Sequence, residues 1–401
     1  MKKILTMALA FGAIASMSAQ KANVDAAAKL SGKVDKIAEA RDLIKQAEQD
    51  PSTANQARTY YTAGKIEFDA FDEGFKKRAI NPSDASINLI DMGIELINGY
   101  KAFVKALPLD SVPNEKGKIK PQYSKDIVNK LNGHHPDYFN YGGELFNNRH
   151  YPEAYEAFMI YGDMPSQAWA DKNTKATADT TRALGYHYAG ISAYSADQLQ
   201  NAIEAFKKAR LTGITDPQNH VYEIACWQNV ALRDSTMEKT AIDAIYEVAL
   251  DGYQKYGMTN PLFLINVINA KIQAGNEQEA IDMINKQIAE TPDNPTLYSL
   301  LGYIYDRMDK TEESVAAYRK AVSFENADLD VLKSAARKIY NTGVVTWDSM
   351  ETKTPEKVQD VKVNYFEAAK AIAERAKALD PSNSDIQYIL ESIDYALGAY
   401  F

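Results

Sequence analysis

Cysteine is almost missing from this 401-residue chain: Cys226 stands alone. A lone cysteine excludes an internal disulfide and any zinc site built on cysteine. Histidine is scarce too, with five scattered residues, so a histidine-rich metal site is not expected. Positive charge is in deficit. Lys and Arg number 45 against 54 Asp and Glu, a net charge of −9. An acidic chain lacks the basic footprint that nucleic acid requires. Beyond the first residues no apolar run reaches the length of about 18 that a membrane-spanning helix needs. HExxH, GxSxG, a Walker loop and a GxGxxG turn are all absent, so neither an enzyme nor a bound cofactor is expected. Alternating β-branched runs are nearly absent as well, which argues against sheets.

What remains is a globular balance of 45% hydrophobic and 25% charged residues, arranged with helical periodicity. Residues 1–19, MKKILTMALAFGAIASMSA, begin with Lys2 and Lys3 and continue with an apolar run from Ile4 to Ile14. They then offer Ser16, Ser18 and Ala19 as small residues. This is the pattern of a secretory signal peptide, with cleavage expected near Ala19. No cysteine lies beside that position for lipid anchoring. The short MKK start and the SAQ ending resemble signal peptides of Bacteroidota. The expectation is an exported, periplasmic chain, with association to the outer membrane open.

Asx-Pro pairs punctuate the sequence at Asp50-Pro51, Asn81-Pro82, Asp216-Pro217, Asn260-Pro261, Asn294-Pro295 and Asp380-Pro381. Each ends one helix and prepares the next. Pro261 and Pro295 lie 34 residues apart, and a period near 34 signals repeats. In 295–328, Tyr298, Leu301, Gly302 and Tyr305 share a face of a first helix, and Ser314, Tyr318 and Ala321 a face of a second. Three further segments fit the template: 135–168 (Tyr138, Tyr141, Gly142, Leu145, Ala154, Phe158, Tyr161), 183–216 (Tyr186, Ala189, Gly190, Ala193, Ala202, Phe206, Ala209) and 261–294 (Leu264, Val267, Ala280, Ile284, Pro292). The last departs at Ile268, Lys271 and Gln287.

These residues resemble the tetratricopeptide repeat. The resemblance implies an all-α fold, a TPR-like α-solenoid of helix-turn-helix repeats in a right-handed superhelix. Degenerate copies are expected at 219–260, with an extended connection around Arg233–Glu238, and at 329–381, interrupted at about Gly343–Glu356. A capping helix is expected over 383–398. Residues 20–110 form an N-terminal helical or degenerate block. The segment 111–134, rich in Pro, Gly and Lys, is expected to be a loop or hinge before the superhelix of 135–401.

The pair His134-His135 precedes Pro136 and reads as a solvated turn in preference to a metal-binding pair. Cys226 is expected to be a buried, inert thiol. The resemblance also implies where a partner sits, since first-helix positions 2, 5, 9, 12 and 13 of each repeat face the concave groove. In 295–328 these are Thr296, Ser299, Tyr303, Asp306 and Arg307. From 329 they are Asp330, Lys333, Arg337, Tyr340 and Asn341. Further along the groove they include His187, Ile191 and Tyr194, and Phe139, Phe146 and Asn147. Tyr303, Arg307, Lys333, Arg337, Tyr340, His187 and Tyr194 are therefore the candidate binding residues. Cations beside tyrosines suit an acidic peptide. The functional expectation is a non-enzymatic scaffold or adaptor holding a protein or peptide partner in the cell envelope, with homo-oligomers open. The alternative is a glycan- or nutrient-binding protein of outer-membrane uptake, since some of those also use a TPR-derived frame.

Overall fold

A computed structural model describes residues 21–113 and 116–401; the expected signal segment lies outside them. Among the described residues there are helices and turns and no strand. The chain divides into two compact units, one ending at Ala241 and one beginning at Ile242.

The first unit contains α1 (21–30), α2 (Ile37–Gln49), α3 (Ala57–Ile80), α4 (Leu89–Asp110), α5 (Ser124–Gly133), α6 (His135–Asn147), α7 (Tyr151–Asp163), the single turn α8 (Lys172–Lys175), α9 (Asp179–Ser195), α10 (Leu199–Thr212) and α11 (Gln218–Arg233). The boundary falls within α12 (Glu238–Tyr256). The second unit continues with α13 (Pro261–Gln273), α14 (Glu277–Glu290), α15 (Pro295–Arg307), α16 (Thr311–Val322), α17 (Leu329–Asp348), α18 (Pro355–Val361), α19 (Ala368–Leu379) and α20 (Ser384–Tyr400). The Asx-Pro pairs act at two of these starts. Asn260 and Asn294 accept the N–H groups of Leu262 and Thr296 at 3.0 Å, with Pro261 and Pro295 as first helical residues. The asparagine satisfies one orphan donor, and proline has none to lose at that position.

One contact recurs in the hairpins. Gly142 packs under Phe158, Gly190 under Phe206 and Gly302 under Tyr318. Each aromatic lies sixteen residues after its glycine. A methyl group on these glycines would stand 2.9, 2.5 and 2.8 Å from the ring. Seven residues after each glycine comes a left-handed residue, Arg149, Asp197 or Asp309, with φ of 64°, 60° and 57°. The next N–H then returns to the first helix: His150 to Leu145, Gln198 to Ala193 and Lys310 to Tyr305, each at 2.9 Å. This turn satisfies carbonyls that the helix end would leave orphaned. The 261–294 hairpin keeps the turn through Gly275, with φ 74°, and a 2.8 Å bond from Asn276 to Lys271. Its departure at Ile268 is matched by Ile284, sixteen residues on, and both are fully buried. Two medium side chains replace one absent and one large one.

Three expectations about the connecting segments change. The 111–134 segment is only partly a loop, because Ile127 and Leu131 are buried one helical turn apart and fold α5. The loop end is tied down by Asp110, whose carboxylate accepts the N–H groups of Gln122, Tyr123 and Ser124 at 2.9, 2.9 and 2.7 Å. Burial acts to raise this carboxyl, and the hydrogen bonds outweigh it, leaving it below the ordinary carboxylate value. The connection at Arg233–Glu238 is tight, a single 3₁₀ turn over Ser235–Met237. The interruption at Gly343–Glu356 is smaller than expected. The stripe of Leu332, Ala335, Ala336 and Ile339 continues inward through Gly343 and Trp347, so α17 runs on to Asp348. The chain then returns through α18 and a π-helical turn, Lys362–Glu367, which seats Tyr365 against Gly343.

The His134-His135 pair is not a solvated turn. His134 Nε2 lies 3.2 Å from Asp72 and Nδ1 lies 2.9 Å from Asp137, while Lys130 reaches Asp72 at 2.6 Å. Phe68 stacks on the ring at 5.4 Å and Phe71 meets it edge-on at 5.2 Å. His135 is buried, with Nε2 2.9 Å from the Tyr161 carbonyl. Burial acts to lower the His134 pKa, and the bonds to Asp137 and Asp72 outweigh it, so it lies above 6.5. Burial also acts to raise the Asp72 carboxyl, and His134 and Lys130 bring it down to about 2. Cys226 is buried, and burial pushes its thiol up to about 12.

Two tests follow from this packing. Gly190→Ala and Gly302→Ala lower stability by about 1–3 kcal/mol through overpacking. Gly143→Ala, one residue from the close approach at Gly142 and with no atom within 4 Å of the added methyl, raises it by about 0.5–1 kcal/mol. Urea unfolding midpoints separate the two signs. For His134, a pKa raised on folding means stabilisation that is complete below pH 6.5 and lost as pH climbs through the folded-state value. Thermal unfolding from pH 6 to 9 shows this loss in the wild type, and His134→Gln removes that part of the slope.

Candidate binding surface

The surface expected on residues 295–341 is built by α15 and α17. Pro295, Leu297, Leu300, Gly302 and Ile304 turn inward on α15, and so place Tyr303, Asp306 and Arg307 in the open. The inward set differs in part from the expected one. Leu297, Leu300 and Ile304 form the deep stripe, while Tyr298, Leu301 and Tyr305 are half-buried at its edge. Tyr298 spends its hydroxyl on the Pro292 carbonyl at 2.9 Å and stacks on Phe324. On α17, Asp328 caps the N–H of Val331 at 2.9 Å, and the buried stripe leaves Lys333 half-buried and Arg337 exposed.

The expected cations do not all remain free. Lys333 faces Asp330 at 3.4 Å and Asp385 at 3.5 Å, and Arg337 faces Asp385 at 3.9 Å. Asp385 belongs to the first turn of α20, where an acid also suits the helix dipole. Asp306 pairs with Lys338 and leaves Arg307 alone. Arg307 makes no ion pair among the described residues, and it shares this stretch of α15 with Tyr303, which is 37% exposed. Tyr340 is not an open contact residue. It is half-buried, its hydroxyl donates to the Ser392 carbonyl at 3.3 Å, and its ring meets Phe366. It joins α17 to α20.

The other two candidates belong to the first unit. Tyr194 lies at its surface, 36% exposed. His187 does not: it is buried, with Nδ1 3.1 Å from Asn219 Oδ1. Asn219 donates its own amide to the Phe206 carbonyl at 2.9 Å, so its Oδ1 is the acceptor for His187. The ring is thus a packing residue. Phe139 likewise packs, against Phe158 at 5.4 Å and Tyr161 at 5.1 Å. Sequence reasoning missed Asp385, Lys338 and the exposed Tyr388 of α20. An acid near a helix start carries no mark of the cations it meets across the fold.

Among the described residues, no group of three or more His, Cys, Asp or Glu is placed to hold a metal ion. No described helix is long and apolar enough to cross a membrane. The surface can therefore offer ion pairing, hydrogen bonds and aromatic contact.

Residues 295–328 match the family model described as Tetratricopeptide repeat. No curated protein matches the sequence. Similar solved structures include a chain of the APC/C hetero-tetramer Cut9-Hcn1, at 13% identity and TM-score 0.33; the likeness covers 88% of this chain and 59% of that one. The C-terminal part of a TPR repeat-containing protein from Cytophaga hutchinsonii is 15% identical, covering 63% of this chain and 99% of that chain, with TM-score 0.35. The TPR2AB domain of yeast Sti1, in a complex with pHSP90, is 12% identical, covering 84% and 98%, with TM-score 0.24. The chain thus carries a tetratricopeptide repeat at residues 295–328, set in an all-helical fold of packed hairpins.

Proposed function

We propose that this protein is a non-enzymatic scaffold that holds an acidic peptide or protein segment on the α15/α17 face of its second unit. The observation that carries the reading is Arg307: an exposed guanidinium without a carboxylate partner among the described residues, on the same helix as the exposed Tyr303. A guanidinium binds a carboxylate through paired, charge-assisted hydrogen bonds, and a neighbouring tyrosine adds area at small entropic cost. Lys333 and Arg337 extend the surface once an incoming carboxylate replaces Asp385. The signal-like residues 1–19 support an exported protein that works in the periplasm, with a partner in the cell envelope.

Fluorescence polarisation against Asp/Glu-rich peptides tests the surface. The wild type binds, and Arg307→Glu with Arg337→Glu weakens binding by about tenfold or more, the loss of charge-assisted contacts worth about 1.5–3 kcal/mol each. Asp385→Asn strengthens it by freeing Lys333 and Arg337. Equal binding by all three proteins, or none by the wild type, contradicts the assignment.

A further inference from the structure

A second cluster of cations lies in the first unit. Helices α2 and α4 flank a trough whose floor is α3, enclosing a cavity of about 390 Å³. That volume is in the range of small-molecule sites. Each flanking helix turns one stripe toward it. Arg41 and Lys45 stand one turn apart on α2, and Lys101 and Lys105 one turn apart on α4. Four cations thus converge in a chain whose net charge is −9. The floor carries the buried Tyr60 and Ala63, with Glu67 one turn further along α3.

Two of the cations are committed. Arg41 grips Glu67 through Nε and Nη2 at 2.9 and 2.6 Å and reaches Glu95 at 3.0 Å. Lys101 pairs with Glu156 at 2.5 Å. The other two are not. Lys105 rests its ammonium over the Tyr60 ring, 4.1 Å from the centroid. An aromatic face is a weaker partner than an anion at an exposed site. Lys45 has no carboxylate at ion-pair distance among the described residues. Glu48, the cavity's remaining acid, is half-buried with no hydrogen-bond donor among them; burial holds its carboxyl above the ordinary value against the longer-range attraction of Lys105 and Lys45.

We infer that this trough is a binding site for a small polyanion. Its carboxylate or phosphate oxygens bridge Lys45 and Lys105, and its carbon body lies on Tyr60. Lysine ammonium groups on long stems are point charges that adapt to either oxyanion. The Arg41–Glu67–Glu95 cluster fixes the three helices around the site and takes no part in the ligand contact. Glu48 opposes the ligand's charge and sets an upper limit on affinity.

Isothermal titration of the full chain with citrate and, separately, with pyrophosphate tests the inference. Saturable binding of at least one is expected, and the tighter one identifies carboxylate or phosphate as the preferred group. Lys45→Gln with Lys105→Gln weakens it at least tenfold. Both side chains are exposed, and circular dichroism checks that the fold persists. Glu48→Gln tightens binding about threefold by removing the opposing charge. The Arg307→Glu/Arg337→Glu protein binds as the wild type, which keeps this site separate from the peptide surface. No saturable binding of either polyanion overturns the inference. So does unchanged binding in the double lysine variant, or loss of binding in the arginine variant.

Discussion

The close approach of two helices at a residue without a side chain governs this structure. A helical hairpin of twelve to seventeen residues per arm buries too little surface to stand alone. Its arms must come near enough for one aromatic ring to fill the space between them. Gly142, Gly190 and Gly302 provide that space, and Phe158, Phe206 and Tyr318 fill it. Ser314 adds a polar tie in the third case, donating its buried hydroxyl to the Gly302 carbonyl at 2.8 Å. The Ile268 and Ile284 pair shows that the constraint is on combined volume, since interiors are packed near crystal density. The direction of every outward side chain follows: with Gly302 and Ile304 fixed inward, Tyr303 and Arg307 are left outside.

Much of this frame was legible from residue types at fixed separations. The period of 34, the small and aromatic positions of each repeat, and the Asx-Pro helix starts are all local features, visible without knowing the fold. What stayed hidden depends on contacts between distant positions. The extension of α17 through Gly343 to Asp348 depends on Tyr365 and Phe366 returning from the far side of a break. The clamp on His134 depends on Asp72, more than sixty residues earlier in the chain. Leu297, Leu300 and Ile304 were passed over because the repeat template draws attention to the small and aromatic positions beside them.

The candidate surface was legible in position and not in charge. Net composition gives an acidic chain, and helix periodicity gives the outward cations, but neither says which acid neutralises which cation. Asp385 meets Lys333 and Arg337 from a helix that begins some fifty residues later. Asp306 pairs with Lys338 and passes over its own neighbour. His187 has the right spacing for a groove position, yet Asn219 from the next first helix covers it. Arg307 on one unit, and Lys45 and Lys105 on the other, are among the cations with no carboxylate at ion-pair distance within the described residues, and the proposed partners would supply one.

Exchanging one packing solution for the other tests the volume constraint directly. Gly302→Ile and Tyr318→Ile are made singly and together, and equilibrium unfolding in urea is followed for each. The account predicts that both single variants are destabilised, one by overpacking and one by a cavity. The double variant, which reproduces the Ile268 and Ile284 pair, should lose much less than the sum of the two. Strictly additive losses in the double variant would contradict it, since independent sites add and coupled ones do not.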